Sequence, residues 1–271
     1  MSNLQEGDVE FDGYRVRIFQ GGTGKPLLLL HGTGPGTSAA GNFSRIIERL
    51  SEKYTVLAAD LIGFGKSDRK TERPYFDFDL WYQQARFLLG LISEKDLCVF
   101  GHSLSGALAL KLAAEDSRVK KVLTTGTLGI SFPVNNSLKL TWTYPDTRQD
   151  VINASEALVY DNSIIDSTFV NNRVELLQTS GYKKYFSEMF GGEQQLLVDS
   201  AILGEELLDQ INADVLMMHG REDRPVPVHQ TSLRLGGMIR NCDVSIIGRC
   251  GHSPSMEHPD KVLSAARLLF N

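Results

Sequence analysis

Three polar side chains, far apart along the chain, are of the types that together activate a serine. Ser103 lies in GHSLSG, Asp223 in HGREDRPVP and His252 in GRCGHSPS. A serine hydroxyl is a weak nucleophile at neutral pH, and it needs a neutral imidazole as its base and an acid that orients the imidazole. The three residues therefore predict a catalytic triad that attacks a carbonyl carbon, with Ser103 as the nucleophile.

The surroundings of Ser103 predict a sharp turn between a strand and a helix. The stretch LCVFGHSLSGALALKLAAE, residues 97–115, reads as an apolar strand followed by a helix. Serine nucleophiles at such turns commonly lie in the pattern G-x-S-x-G. Gly101 fits this pattern, whereas its last position holds Ser105 and the glycine follows at Gly106. Since Ser105 adds only a hydroxymethyl group, we expect the turn to form with modest crowding.

The candidate acid and base follow two later strands. Asp223 comes after the apolar run DVLMMHG, and His252 comes after DVSIIGR. The chain order serine, acid, histidine accompanies this kind of turn, and parallel strands present their carboxyl ends at one edge of a sheet. We therefore expect the three side chains to meet at that edge. Glu222, the neighbour of Asp223, is the alternative acid.

The negative charge that develops on an attacked carbonyl oxygen needs two backbone N–H donors. One is expected from Leu104, which follows the nucleophile and begins a helix whose dipole favours negative charge. The other is expected from GTGPG, which follows the strand KPLLLLHG, because glycines let the backbone approach a ligand closely. We favour Thr33 as this donor, with Gly34 next. His31, under the same loop, is predicted to be a structural histidine rather than a base.

The elements that must position these residues can be predicted from hydrophobic patterning. Short buried runs alternate with helical stretches, which implies an α/β protein with a mostly parallel sheet and helices on both faces. Near the N-terminus, VEFDGYRVRIFQGG alternates apolar and polar residues around Asp12 and Gly13, which predicts a hairpin. Further strands are predicted at 25–32, 55–61, 97–103, 120–126, 214–220 and 243–249, and helices at 42–54, 79–92, between 103 and 120, and from about 258.

The alternation stops between about residues 128 and 212. This segment has helical pieces such as FVNNRVELL and EQQLLVDSAIL, and it has no good strand run. We predict a core of residues 1–127 and 212–271. Residues 128–211 are predicted to form an all-helical cap, inserted before the last two strands and lying over the site.

Composition narrows the classes of partner. The chain has 271 residues, 42% of them hydrophobic, and a net charge of −5 without a basic stripe, which argues against nucleic acid. No apolar run is long enough to cross a bilayer, and MSNLQEGDVEF lacks the pattern of a signal peptide. Cys98, Cys242 and Cys250 are an odd count without metal-binding spacing, so we expect reduced thiols in a cytoplasmic protein. GTGPG is not a dinucleotide-binding motif, and no cofactor or metal is predicted.

At these residues the sequence resembles the α/β-hydrolase fold, and within it the meta-cleavage product hydrolases. Those enzymes cut carbon–carbon bonds in ring-opened aromatic catabolites. LLLHGTGPGTSAAGNF resembles their oxyanion loop, and AADLIGFGKSDR resembles the strand and loop that follow. LGISFPV, HGREDRPVPV and GRCGH also match, so the resemblance covers nearly the whole chain.

The resemblance implies a reaction and two substrate contacts. The substrate would be a 2-hydroxy-6-oxo-dienoate, whose enol becomes a ketone before the serine and histidine drive attack on the C6 carbonyl. Arg173, in NNRVELLQTSGYKKYF, falls where the family has an arginine that holds the acidic end of the substrate. The helix pattern alone would make it a solvated arginine. Asn42 falls on a family residue that contacts the enol and carboxylate end, and it is also a candidate helix N-cap. Homodimers are common in the family, so a homodimer is implied.

Three positions depart from the family pattern. His102 stands where asparagine is usual, Ser105 replaces the second glycine of the turn, and Ser253 replaces a tryptophan. His102 and Ser253 are expected to line the substrate pocket. Because histidine precedes the serine in many esterases, a carboxylesterase or lactonase acting with the same triad is the alternative. In either case a small molecule with a carboxylate or an ester is expected. A ligand-sensing member of the fold with slow turnover is a further alternative.

Overall fold

A mostly parallel, eight-stranded sheet runs through the computed structural model, which describes residues 4–271. Residues 1–3 begin the stretch from which the lack of a signal peptide was predicted, and they lie outside the described residues. The strand order is β1-β2-β4-β3-β5-β6-β7-β8, in which β1, β2 and β4 pair antiparallel and β3 to β8 are parallel. The strands are β1 Leu4–Phe11, β2 Tyr14–Gly21, β3 Lys25–Leu30, β4 Tyr54–Ala59, β5 Leu97–His102, β6 Val119–Thr125, β7 Asp214–Gly220 and β8 Cys242–Ile247.

The predicted hairpin is confirmed as the pair β1 and β2. Its two-residue turn is Asp12 and Gly13, with φ of 51° and 77°. Two consecutive residues with positive φ give the turn whose twist matches that of paired strands, and Asp-Gly is a favoured sequence for it.

Helices cover both faces of the sheet, as predicted. They are α1 Ala39–Asn42, α2 Ile47–Ser51, α3 Phe78–Gly90, α4 Leu104–Glu115, α5 Asn136–Thr141, α6 Arg148–Glu156, α7 Ser167–Leu177, α8 Tyr182–Met189, α9 Gln194–Asp199, α10 Glu205–Leu208, α11 Ser232–Gly236, α12 Pro254–Glu257 and α13 Pro259–Phe270. Alternate side chains of β3 point to opposite faces. Leu28 and Leu30 join the hydrophobic core that contains α3 and α4, while Leu27 and Leu29 join the core that contains α2 and α13.

The continuous helix predicted over residues 42–54 is wrong. The structure has two short helices there, and Phe43 and Ile46 between them have non-helical backbones. The apolar spacing nevertheless indicates the buried residues correctly, because Phe43, Ile46 and Leu50 are all buried. The first of these helices is tied to the core at its N-terminus, where Ala39 N–H donates to Asp60 at 2.7 Å.

The chain between β6 and β7 is helical. Residues 126–213 contain α5 to α10 and the 3-10 turn Asn162–Ile164, and no strand is described there. The insertion therefore comes before the last two strands, as predicted. Large aromatic side chains from it, among them Phe132 and Phe186, pack into the same core as α3 and α4.

Candidate active site

Ser103 lies at the turn between β5 and α4 in a strained conformation. Its φ of 59° and ψ of −124° are rare for a residue with a side chain, and such strain is found mainly at functional sites. The turn is tied to the next strand, because Ser103 N–H donates to Thr125 O at 2.8 Å. The geometry raises the serine hydroxyl above the carboxyl edge of the sheet.

Both glycines of the turn are required by close packing, although the second one is displaced. A Cβ on Gly101 would lie 2.2 Å from the carbonyl oxygen of Ser105, and a Cβ on Gly106 would lie 2.6 Å from Thr127 Cγ2. Ser105 fits between them because its hydroxyl finds a partner. It is fully buried and donates to the carbonyl oxygen of His31.

The structure brings Ser103, His252 and Asp223 into one hydrogen-bonded chain. His252 Nε2 lies 2.9 Å from Ser103 Oγ, and His252 Nδ1 lies 2.7 Å from Asp223 Oδ2. All three side chains are buried. Glu222, the alternative acid, accepts instead from Arg221 Nε at 2.9 Å and from the backbone N–H of Cys250 at 3.1 Å, so the geometry favours Asp223.

The carboxylate of Asp223 is strongly held. Its Oδ1 accepts the N–H of Val226 at 2.8 Å, and its Oδ2 lies 2.9 Å from Nε2 of His219. Burial alone would raise the pKa of this carboxyl, but the nearby His252 and the His219 hydrogen bond outweigh it. The pKa of Asp223 therefore lies well below its usual range, and the group is ionised at neutral pH. His219 was not among the predicted site residues, because it lies inside the apolar run of the strand that precedes the acid.

His252 is fixed from two sides. Its backbone N–H donates to Leu158 O, in the helical insertion, at 2.7 Å. On the other side is Gly126, which has a φ of 57°. A Cβ on Gly126 would lie 2.8 Å from the ring of His252, so only a glycine fits there.

The loop after β3 lies directly against the nucleophile. A Cβ on Gly32 would lie 2.9 Å from Ser103 Cβ, and the backbone N–H of Gly32 donates to Asn42 Oδ1 at 2.9 Å. The prediction of Asn42 as a helix N-cap is wrong, because Asn42 ends α1, and Ser38 caps that helix by accepting from Gly41 N–H. Asn42 instead holds the loop that was predicted to supply an oxyanion donor.

Of the two predicted oxyanion donors, one follows Ser103 in the chain and the other lines the same cavity. Leu104 is the first residue of α4, so its N–H has no acceptor within the helix. Thr33 lines the cavity above Ser103, and its Oγ1 is buried without a hydrogen-bond partner in residues 4–271. Both ring nitrogens of His31 are occupied, with Nδ1 2.6 Å from Gly32 O and Nε2 accepting from Leu61 N–H at 2.8 Å, as a structural histidine requires.

A cavity covers the nucleophile and is roofed by the helical insertion. Of the residues predicted for the site, all but Leu104 and the deeply buried Asp223 line it: Thr33, Gly34, Asn42, His102, Ser103, Arg173, His252 and Ser253. The insertion adds mainly apolar residues, namely Leu138, Thr141, Trp142, Ala154 and Leu158. Within residues 4–271 no group of three or more acidic, histidine or cysteine side chains could hold a metal ion, and no helix is long and apolar enough to cross a membrane.

The chain shares this architecture with known proteins. The profile of the alpha/beta hydrolase fold family matches residues 25–259. This protein belongs to the α/β-hydrolase family. It is 31% identical over 264 residues to a 2-hydroxymuconate semialdehyde hydrolase of Pseudomonas putida, a match that covers 96% of this chain and 90% of the relative.

Solved structures of α/β hydrolases extend the likeness. A mutant of the meta-cleavage product hydrolase CumD from Pseudomonas fluorescens IP01, complexed with acetates, superposes with a TM-score of 0.92 at 30% identity, covering 98% of this chain and 97% of that one. A 2-hydroxy-6-oxo-6-phenylhexa-2,4-dienoate hydrolase from Rhodococcus sp. strain RHA1 gives 0.86 at 26% identity, covering 98% of each chain. The predicted fold and the resemblance to meta-cleavage product hydrolases are confirmed.

His102 forms part of the cavity wall in this α/β hydrolase. Its Nδ1 lies 3.1 Å from Thr125 O and 3.0 Å from Thr125 Oγ1. Because a carbonyl oxygen can only accept, Nδ1 carries the proton, and Nε2 is left as an acceptor. Burial and the neighbouring His252, whose ring centroid is 5.0 Å away, lower the pKa of His102 to about 3. The ring is therefore neutral at working pH.

Arg173 reaches the cavity of the α/β hydrolase from helix α7. Its Nη1 donates to Pro35 O at 3.0 Å, and its guanidinium carbon lies 4.8 Å from the centre of the Phe169 ring. The close approach of Gly36, whose added Cβ would lie 2.9 Å from Arg173 O, packs α7 against the loop after β3. Burial lowers the pKa of Arg173 to about 10, which leaves it charged. The side chain is half-buried, so the solvated arginine that the helix pattern alone suggests is wrong.

Proposed function

We propose that this enzyme hydrolyses the carbon–carbon bond beside the ketone of a 2-hydroxy-6-oxo-dienoate, a ring-fission product of aromatic catabolism. The observation that carries the proposal is the buried chain Ser103–His252–Asp223, which opens into a cavity that Arg173 also reaches. The relatives named above, which act on compounds of this class, cover nearly all of the chain.

The proposed reaction uses the serine as a covalent nucleophile. After the enol of the substrate has become a ketone, Ser103 Oγ attacks C6 and its proton passes to His252 Nε2. The N–H groups of Leu104 and Thr33 stabilise the oxyanion on C6. When the C5–C6 bond breaks, its electron pair forms the C4–C5 double bond and the charge moves through C3 to the C2 ketone oxygen, which takes the proton from His252 as a hydroxypentadienoate is released. Water then hydrolyses the acyl-serine to a carboxylic acid, with His252 as the base.

We assign the remaining cavity residues to substrate binding. Arg173 suits the carboxylate end, because its planar guanidinium binds a carboxylate through two parallel hydrogen bonds. Asn42 and Gly34 belong to the loop beside it, and His102 offers a hydrogen-bond acceptor to a hydroxyl of the substrate. Ser253 leaves room where the family usually has a tryptophan, which favours a bulkier group on the acyl side.

We further propose that residues 128–211 are a cap that selects the substrate, on a core of residues 1–127 and 212–271. The support is that the helical insertion roofs the cavity and that Leu158 O accepts from the backbone of His252.

Assembly as a homodimer and a cytoplasmic location remain predictions. Size-exclusion chromatography with light scattering tests the first, and cell fractionation tests the second.

A carboxylesterase or lactonase activity is the second candidate. It is favoured by His102, which replaces the usual asparagine and places a neutral acceptor beside the nucleophile. The same triad and oxyanion donors would serve it. It would need no residue for the carboxylate of a dienoate, so the contribution of Arg173 separates the two candidates.

The experiment compares two substrates on one enzyme preparation. We expect the yellow colour of a dienoate ring-fission product to bleach rapidly, and Ser103→Ala to abolish the bleaching. Rapid hydrolysis of p-nitrophenyl esters without bleaching would replace the proposal with the second candidate. Binding without turnover of either compound would indicate a ligand-sensing protein.

A further inference from the structure

A second buried histidine stands behind the acid of the proposed triad. His219 is the penultimate residue of β7 and has no exposed surface. Its Nε2 lies 2.9 Å from Asp223 Oδ2 and 2.8 Å from Val226 O, and its Nδ1 lies 2.7 Å from Ser232 Oγ, at the start of α11. The ring therefore bridges the end of a strand, the loop that carries the acid, and a helix.

The partners of His219 determine where its proton lies. Val226 O can only accept a hydrogen bond, and so can the ionised carboxylate of Asp223. Nε2 must therefore carry the proton, which it donates to Val226 O while Asp223 Oδ2 lies 2.9 Å from the same nitrogen. In the neutral ring Nδ1 is then an acceptor, which matches the hydroxyl of Ser232 as a donor.

The arrangement places two imidazole rings at Asp223 Oδ2. The Nδ1–H of His252 donates to it at 2.7 Å, and Nε2 of His219 lies 2.9 Å away. Oδ1 is taken by the N–H of Val226 at 2.8 Å. Each carboxylate oxygen thus accepts one N–H, and Oδ2 also has the ring of His219 beside it, so the oxygen that orients His252 is held in place.

We propose that His219 is a positioning residue of the catalytic machinery, and that the relay runs Ser103–His252–Asp223–His219–Ser232; this rests on the triad proposed above. His219 holds Oδ2 where His252 needs it and keeps Asp223 an anion while His252 is protonated. Its role is like that of the residues that hydrogen-bond to a metal-ligating side chain and fix its orientation. Mutation of such residues typically lowers activity about 10- to 100-fold.

The competing view makes His219 a purely structural bridge between β7 and α11. A structural bridge would affect the stability of the fold but would leave the proton chemistry of His252 unchanged. The two views differ in the pH profile. An N–H group beside Oδ2 places partial positive charge near His252 and disfavours its protonation, so removing that group moves the acid limb of kcat/KM to higher pH. The titratable groups that face Asp223 are His252, His219, His102 and Cys250.

Proton NMR of the resting wild-type enzyme, labelled with ¹⁵N-histidine, tests the bonding without any substrate. We expect two downfield imidazole protons, from His252 Nδ1–H and His219 Nε2–H, with Nδ1 of His219 unprotonated. If His219 carries its proton on Nδ1 instead, there is no N–H beside Asp223 and the proposal is overturned. This outcome is independent of which substrate the enzyme cleaves, so failure of the proposed function is distinguished from failure of the relay.

Kinetics of two substitutions completes the test, on whichever substrate the wild type turns over. His219→Phe keeps a ring and removes the donor, and we expect kcat to fall about 10- to 100-fold with KM within about threefold. Its acid limb should move up by about half a pH unit or more. His219→Gln places an N–H near the position of Nε2 and should stay within about fivefold of wild type. His229→Phe, at an exposed histidine of the same loop, is the matched control.

Two kinetic results would overturn the proposal. One is a His219→Phe enzyme whose pH profile superposes on that of the wild type. The other is a His219→Gln enzyme as impaired as His219→Phe. If His219→Phe does not fold, Ser232→Ala, which removes the outer member of the relay, must shift the downfield proton assigned to His219; an unchanged signal contradicts the relay.

Discussion

The two ends of the cavity are built in different ways. At the triad end, Asp223 accepts the N–H groups of Val226 and His252 and has His219 Nε2 at 2.9 Å, and His252 is held through both ring nitrogens and its backbone. At the other end, Arg173 makes one side-chain hydrogen bond within residues 4–271, to Pro35 O, and stacks on Phe169. The first set lies on loops at the ends of core strands, the second on a helix of the insertion. The core thus fixes the triad, while the substrate recognition proposed for Arg173 lies on an element that can change without disturbing it.

Asp223→Asn should have the largest effect on activity, because it removes the carboxylate that orients His252. An amide can present its NH₂ to His252, which puts the proton of the imidazole on the wrong nitrogen. We expect kcat to fall about 10⁴-fold with little change in KM. Steady-state kinetics on the preferred substrate measures it.

Glu222→Gln is the matched control for that substitution. Glu222 neighbours Asp223 in sequence, but its carboxylate bonds Arg221 and the backbone of Cys250 rather than His252. We expect kcat within about threefold of wild type, since the loss is one partly exposed charge. A loss comparable to that of Asp223→Asn would show that the acid has been assigned to the wrong residue.

Arg173→Gln should have an intermediate effect that is selective for the substrate. A charge-assisted hydrogen bond contributes about 1.5–3 kcal/mol, so kcat/KM for a dienoate carboxylate should fall about 10- to 100-fold. Hydrolysis of an uncharged p-nitrophenyl ester should change less than about threefold. Arg148→Gln, at an exposed arginine of the insertion, is the control. Equal losses on both substrates would mean that Arg173 supports the fold of the cavity rather than a carboxylate.

The triad could be predicted from the sequence because each of its residues follows a strand. An apolar run that ends in a polar residue places that residue at the sheet edge, and this reasoning brought Ser103, Asp223 and His252 together. His219 was missed because it lies inside such a run, DVLMMHG, where a pattern does not show which way a single side chain points.

The part of the cavity around Arg173 was harder to predict from the sequence, because hydrophobic periodicity describes one helix or strand at a time and not the contacts between elements. From the helix pattern alone Arg173 would be solvated, and only the family resemblance pointed it at the site. The error at Asn42 has the same origin. The residue reads as an N-cap for the helix that follows, whereas the fold uses its amide oxygen to hold Gly32, ten residues earlier.

Stability against acid should depend on the histidine next to the nucleophile. Unfolded His102 takes up a proton near the ordinary pKa of 6.5, whereas in the folded protein burial lowers its pKa to about 3. The unfolded state therefore binds more protons between these values, and the free energy of unfolding falls as the pH falls from 6.5, by up to about 1.4 kcal/mol per pH unit for one such group. The lowered pKa of buried His31 reduces the free energy of unfolding in the same pH range. The pKa of Asp223 is lowered from 3.8, so this group destabilises the fold only when the pH falls below about that value.

His102→Asn should make this dependence shallower. Urea unfolding at pH 7, 6 and 5 measures it, with His229→Asn as the control at an exposed site. We expect the control to retain the wild-type slope and His102→Asn to lose part of it, with His31 accounting for the remainder. An unchanged slope in His102→Asn would contradict a neutral, buried His102.

Ser105→Gly restores the usual pattern of the nucleophile turn and should have the smallest effect on activity. It removes the buried hydroxyl that donates to His31 O and places a glycine in the first turn of α4. Each change costs about 1 kcal/mol, so we expect a loss of about 1–2 kcal/mol in the free energy of unfolding. Since neither change touches the Ser103–His252 contact, kcat should stay within about threefold of wild type. Ser105→Ala separates the hydroxyl from the glycine; a tenfold gain of kcat in Ser105→Gly but not in Ser105→Ala would show that Cβ at this position crowds the turn and holds the nucleophile back.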